Sequence, residues 1–208
     1  MAQISIIDYG MGNIHSVAKA LAKVSPKNYN IKITKSISDL EKSDRIIFPG
    51  QGAAKQCMEN LKNNFDIDKF KLIISQKPFL GICIGLQVLM TKSEEDNTTC
   101  LNIFDGSVKK ISNTKKGDIK LPHMGWSPVQ IKEQHPIFKD INNNSFFYFV
   151  HSFYVDPRND KEKTSYTDYG LHFTSTINRD NYVAVQFHPE KSSTNGLILL
   201  KNFIDWSV

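Results

Sequence analysis

The chain has 208 residues, 26 of them Lys or Arg and 21 Asp or Glu, for a formal net charge of +5. That length suits one domain, residues 1–208, with a core able to stand without staples. The two signs of charge are interspersed, which argues against a nucleic-acid partner, and no run approaches the ~18 apolar residues of a membrane span.

The opening MAQISIIDYG puts no basic segment ahead of its short apolar run, so no signal peptide is expected. ISIID is followed by the amphipathic NIHSVAKALAKV, NIKIT by SISDLEKS, and RIIFPG by AAKQCMENLKNN. KPFLGIC then reads as a fourth buried strand and GLQVLMTKS as the helix after it. This alternation predicts βαβ units and a mostly parallel sheet with helices on both faces. The second half changes rhythm. FDGSVKKI, GWSPVQI, SFFYFVHSFYV, KTSYTDYG, HFTSTINRD and NYVAVQF read as strands separated by turns, an antiparallel flap added to that sheet. STNGLILLKNFIDWSV closes the chain as a helix. The lysine pairs of VKKI and TKKGD read as solvated strand ends and turns.

Cys57, Cys83 and Cys100 form an odd, scattered set with neither metal-ligand nor disulfide spacing, so a reduced, cytoplasmic protein without metal or cofactor is expected. Cys83 stands apart. In GICIG it is flanked two residues away on each side by Gly81 and Gly85, where strand should pass into helix. A nucleophile on such a turn needs small neighbours, because the backbone there is strained and closely approached. A helix N-terminus beside the sulfur would also favour thiolate. The alternative is a small buried hydrophobe, the usual state of a free cysteine.

AVQFHPEKSS supplies a partner. A buried strand ends in His188-Pro189-Glu190; if the segment stays extended, His188 and Glu190 face the same way, and Glu190 can orient the imidazole while the other ring nitrogen faces a nucleophile. FPGQGAA adds a third element, the turn Gly50-Gln51-Gly52, whose backbone N–H groups together with that of Ile84 are candidates for an oxyanion hole. The plain-turn reading stays open beside it. Gly10-Met11-Gly12 is no dinucleotide loop, since the third glycine of that fingerprint falls on His15.

GICIGLQ, FHPE and PGQGA together resemble the class I (triad) glutamine amidotransferases. DYGMGN, PHMGW and YFVHSF narrow the resemblance to the glutaminase subunits of imidazole glycerol phosphate synthases. The resemblance spans Asp8 to Lys191, and departs from the family at Gln51, usually Val, and at Ile84-Gly85-Leu86, usually Leu-Gly-Met. It implies a flavodoxin-like α/β fold, L-glutamine as substrate, and a catalytic triad of Cys83, His188 and Glu190. Gln87, one helical turn past the cysteine, is a candidate for gripping the substrate. The resemblance adds Tyr148, His151 and Ser152 to the glutamine pocket. His151 is a competing base, but it lacks an adjacent carboxylate and reads better as a structural or substrate-contact histidine. The family's acceptor site lies on a separate (β/α)₈-barrel cyclase subunit, so a heterodimer is implied. LPHMGWSPV, through Pro122, Met124 and Trp126, is the candidate interface, and Asn13 and Lys191 match family positions that face the barrel. Two rivals stand beside this reading: a paralogous glutaminase feeding another synthase, such as one for surface-sugar amination, and a non-catalytic scaffold that kept the fold.

Overall fold

The computed structural model describes residues 2–11, 13–112 and 119–208. Gly12 and the TKKGD lysines lie outside the described residues. The first half alternates as its sequence periodicity demands: β1 (Ala2–Ile7), α1 (Ile14–Val24), β2 (Tyr29–Thr34), α2 (Ile37–Glu41), β3 (Arg45–Phe48), α3 (Ala54–Asn64), α4 (Ile67–Ile74), β4 (Phe79–Ile82) and the single turn α5 (Ile84–Gln87). There follow β5 (Lys92–Ser93), β6 (Thr98–Thr99), β7 (Gly106–Lys110), β8 (His123–Ile131), β9 (Ser145–His151), β10 (Phe153–Pro157), β11 (Lys163–Asp168), β12 (His172–Arg179), β13 (Tyr182–Val185) and α6 (Ser193–Asp205).

β2, β1, β3, β4 and β13 lie side by side in that order, all parallel. β12 joins β13 antiparallel, and the sheet runs on through β10, β7, β5 and β6. β11 pairs with both β12 and β8, and β8 forms a long hairpin with β9. Period-two alternation sorts the central strands between two cores. Ile46, Phe48, Phe79, Tyr182 and Ala184 face α3 and α4, while Ile47, Leu80, Ile82, Val183 and Val185 face α1 and α6. Helices on both faces and a late antiparallel extension are therefore as the sequence predicts.

Four local features differ from the sequence reading. The stretch IDKFKLII is a helix, α4, that the alternation alone passed over; Asp66 caps it by accepting the Lys69 N–H at 3.0 Å, and Phe70, Ile73 and Ile74 form its buried stripe. GLQVLMTKS is helical for one turn only, because the carbonyls of Val88, Leu89 and Met90 are taken by N–H groups of Leu101 to Phe104 instead of by a next helical turn. SFFYFVHSFYV splits at Ser152, β9 pairing with β8 and β10 with β7 and β12. His188-Pro189-Glu190 does not stay extended: Pro189–Lys191 is a 3₁₀ turn, a place proline tolerates because its missing N–H is not needed in the first turn.

That turn is seated by α6. A Cβ at Gly196 would lie 1.9 Å from the Pro189 carbonyl oxygen, so only glycine lets the helix come this close. Gly196→Ala is expected to lower stability by about 1–3 kcal/mol, the range for overpacking, and to cut glutaminase activity with it. Chemical denaturation and glutamate release measure the two effects on the same preparation.

Candidate active site

Cys83 sits one residue past β4 with φ 52° and ψ −103°, a left-handed conformation for a side chain that strongly disfavours it. Such strain costs roughly 1–3 kcal/mol and persists only where the surroundings enforce it. Here they do. The Cys83 N–H donates to the Val185 carbonyl at 2.8 Å, and its carbonyl accepts the N–H groups of Leu86 and Gln87. A Cβ at Gly81 would fall 2.7 Å from the Gly85 carbonyl oxygen, and one at Gly85 would fall 2.2 Å from that of Phe48. The glycines around the cysteine are required by close backbone approach, as the elbow reading expects.

β13 lies beside β4 in register, Val185 opposite Ile82, so its continuation brings His188 to the same end of the sheet. The His188 N–H donates to the Tyr148 carbonyl at 2.8 Å, and Ser192 Oγ donates to the His188 carbonyl at 2.6 Å. Nδ1 of His188 meets Glu190 Oε1 at 2.8 Å, with side chains 1% and 2% exposed. Nε2 has no hydrogen-bond partner among the described residues, and the ring lines one cavity with Cys83. Burial opposes a charge on this imidazole, but Cys83 on one side and Glu190 on the other outweigh it and raise its pKa from 6.5 to about 10. α5 is too short to be a strong dipole, so the cation facing the sulfur is His188.

The turn after β3 closes the other flank, since β3 neighbours β4. Gly50 packs against Ile84, and Gln51 and Gly52 line the cavity. The Gln51 N–H donates to the Tyr9 hydroxyl at 3.2 Å, and that hydroxyl donates to the Gln51 carbonyl at 3.1 Å. Burial pushes the Tyr9 phenol up, keeping it protonated for this role. The Ile84 N–H has no partner among the described residues.

The cavity, about 420 Å³, is lined by Cys83, Ile84 and His188 together with Gln87, Glu95, Pro122, His151, Ser152 and Lys191. Gln87 is buried, its Nε2 donating to the Phe153 carbonyl at 3.1 Å. His151 Nδ1 meets the same carbonyl at 2.8 Å, and its Nε2 lies 2.9 Å from His123 Nδ1; His123 Nε2 lies 2.8 Å from Ser127 Oγ. A carbonyl only accepts, so His151 carries its proton on Nδ1 and accepts from His123 on Nε2, and His123 in turn accepts from Ser127. Burial lowers both rings, His123 to about 4 and His151 to about 3. His151 has no free lone pair, which leaves His188 as the base.

The family model for class-I glutamine amidotransferases matches residues 5–206. The chain belongs to the class I glutamine amidotransferases. It is 45% identical over 205 residues to an imidazole glycerol phosphate synthase subunit HisH of Hydrogenovibrio crunogenus, covering 98% of this chain and 96% of that one. It is 43% identical to the subunit of that name from Acinetobacter baylyi over the whole of both chains. Among solved structures, a glutamine amidotransferase covering 97% of each chain superposes with a TM-score of 0.73 at 14% identity, a likeness of fold. Another, from Thermotoga maritima, covers 98% of this chain and 83% of its own, with a TM-score of 0.63 at 16% identity.

On this amidotransferase the residues read as an interface lie at the surface. Asn13, Pro122, Met124 and Trp126 are exposed, Met124 by 61% and Trp126 by 50%, and Phe146 beside them by 54%. Trp126 meets the Tyr148 ring edge-on at 6.0 Å, and Lys191 Nζ sits over that ring, 5.7 Å from its centroid. Tyr148 thus belongs to this row; it does not line the cavity, whereas Ser152 does. The sequence reading missed Tyr9, Glu95, His123 and Gln186. Tyr9 and Gln186 follow strands at the site's edge and were open to notice, but Glu95 opens a short 3₁₀ turn that carries no motif.

The raised His188 pKa gives a direct test. The ring should stay protonated through neutral pH and lose its proton only as pH rises towards 10. Cys83→Ala removes the largest raising influence and leaves the burial, so the midpoint should fall. Imidazole NMR titration reads this, and an unmoved midpoint would show that the two side chains do not interact.

Proposed function

We propose that the chain is the glutaminase subunit of an imidazole glycerol phosphate synthase, releasing ammonia from L-glutamine for a cyclase subunit in histidine biosynthesis. One observation carries the catalytic half: a strained cysteine, a buried imidazole and an orienting carboxylate converge on a cavity with room for one amino acid. Full-length likeness to synthase subunits supports the assignment to this synthase, and we read residues 1–208 as one glutaminase domain.

In this reading the proton of Cys83 already rests on His188, as the raised pKa of that ring requires, and the sulfur attacks the carboxamide carbon of glutamine. The C–S bond forms as the C=O π pair moves to oxygen. The oxyanion is held by the Ile84 N–H and by an N–H of the Gly50–Gly52 turn. For Gln51 to serve, its N–H must leave Tyr9 and turn into the cavity. As the tetrahedral intermediate collapses, the C–N bond breaks and His188 delivers its proton to the nitrogen, which departs as ammonia. His188 then takes a proton from water, hydroxide adds to the thioester, and glutamate leaves as the sulfur is expelled. Glu190 holds the imidazole in one orientation throughout. Glu95 complements the substrate ammonium and Lys191 its carboxylate, while Gln87 offers its uncommitted Oε1. Ser152 and His151 complete the wall.

Ammonia released into water would be protonated and lost, so its use requires a dry path to an acceptor. The exposed row of Met124, Trp126 and Phe146, with Pro122 and Lys191 at the cavity and Asn13 exposed ahead of α1, suits a (β/α)₈-barrel cyclase docked over the cavity mouth, in the cytoplasm. No helix among the described residues is long and apolar enough to cross a membrane.

Three outcomes are expected. Cys83→Ala should reduce glutamate release by roughly 10³-fold or more, as loss of a nucleophile does, while cyclase binding by calorimetry is retained; undiminished glutamine use refutes the triad. Tyr9→Phe frees the Gln51 peptide, so the basal glutaminase rate of the chain alone should rise several-fold in a coupled glutamate assay. Trp126→Ala should weaken cyclase binding by about 2 kcal/mol, a typical loss for a buried aromatic anchor, with basal turnover unchanged.

A further inference from the structure

Gln186 is fully buried between the catalytic cysteine and Gln87, with its backbone N–H on the Ser175 carbonyl at 2.8 Å. Its side-chain orientation follows from its neighbours. The Phe153 carbonyl can only accept, so Gln87 turns its amide nitrogen towards it, at 3.1 Å. The second hydrogen of that nitrogen faces Gln186 Oε1 at 3.3 Å. The remaining end of the Gln186 amide, Nε2, lies 3.6 Å from Cys83 Sγ. Reversing Gln87 would set acceptor against acceptor, and reversing Gln186 would set donor against donor. One backbone carbonyl therefore aims an N–H at the sulfur through two side chains.

Besides His188, the sulfur also meets the Val150 carbonyl oxygen, at 3.9 Å, which can accept only from a thiol hydrogen. That contact turns unfavourable once the proton has gone to His188, whereas a donor to sulfur strengthens as charge develops. We propose that Gln186 is a catalytic residue of the glutaminase reaction, donating a hydrogen bond from Nε2 to the Cys83 sulfur whenever it is a thiolate. It acts at two points: in the resting enzyme, where His188 holds the proton, and when the thioester C–S bond breaks and its electron pair returns to sulfur. Being a neutral amide, it favours thiolate without competing with His188 for a proton.

This rests on Cys83 being the nucleophile. The test follows alkylation of each cysteine by iodoacetamide at pH 7, read by mass spectrometry, beside glutaminase kcat and KM. Cys57 and Cys100 are buried thiols pushed up by burial, Cys100 to about 12, so they stay silent in folded protein and report unfolding if they react. Gln186→Met fills the site without a donor. It should slow Cys83 alkylation and kcat by about tenfold or more, the scale of a lost bond to a charged group, with KM within about twofold. Gln186→Asn keeps an amide but withdraws it by one methylene; it should fall between the two, and it carries the test if the Met variant exposes Cys57. A folded variant of either kind that alkylates at the wild-type rate overturns the role for Gln186, because a structural role lowers only the melting temperature. Wild-type enzyme that stays active with Cys83 fully alkylated overturns the nucleophile itself, a separate failure.

Discussion

The hydrogen bond from the Cys83 N–H to the Val185 carbonyl, 2.8 Å long, is the last rung of the parallel ladder between β4 and β13. The chemistry depends on that rung. It puts the carboxyl ends of two strands, about a hundred residues apart in sequence, side by side, and it pins the backbone of a residue whose φ and ψ would otherwise relax. β3 on the opposite side of β4 brings the Gly50–Gly52 turn to the same edge. In open parallel sheets the space beyond the strands' carboxyl ends is where ligands bind, and three loops from adjacent strands converge there.

Around this edge, polarity is organised by groups with only one way to bond. The Phe153 carbonyl accepts from Gln87 and from His151. Through the first it orients an amide pair that ends on sulfur; through the second it sets the protons of His151 and His123. His123 is also held by stacking, 4.8 Å from the Phe149 ring and 3.9 Å from that of Tyr169. Buried polar groups arranged this way are satisfied rather than costly. Nε2 of His188 is a buried exception among them, and it is the atom the reaction needs. The hairpin of β8 and β9 joins the two sides of the molecule: His123 faces inward to His151, directly across the ladder, while Met124 and Trp126 face out. A subunit docked on the outward face would thus rest on the strand that fixes the pocket wall.

The βαβ alternation was legible because burial on both sheet faces leaves a period that any reader of the sequence can count. The elbow was legible because a backbone approach as close as that at Gly85 admits no side chain. Helix α4 was passed over because a short amphipathic helix between longer elements leaves a weak period, although Asp66 marks its start. The one-turn length of α5 depends on carbonyls captured by a loop more than ten residues later, a fact with no local trace. The HPE segment closes the triad by a 3₁₀ turn rather than an extended link, since the seat offered by Gly196 of α6 decides its shape.

The sequence by itself determined the fold class, the identity of the strained cysteine and the imidazole and carboxylate available to serve it, because strand period, glycine spacing and side-chain chemistry are local properties. Only the tertiary structure decided that Gln51 bonds to Tyr9, that Tyr148 belongs to the surface row and not to the cavity, and that His151 has no lone pair to offer. Those outcomes turn on which hydrogen-bond partner arrives from elsewhere in the chain, and a donor's choice among acceptors is settled by proximity that no single segment encodes.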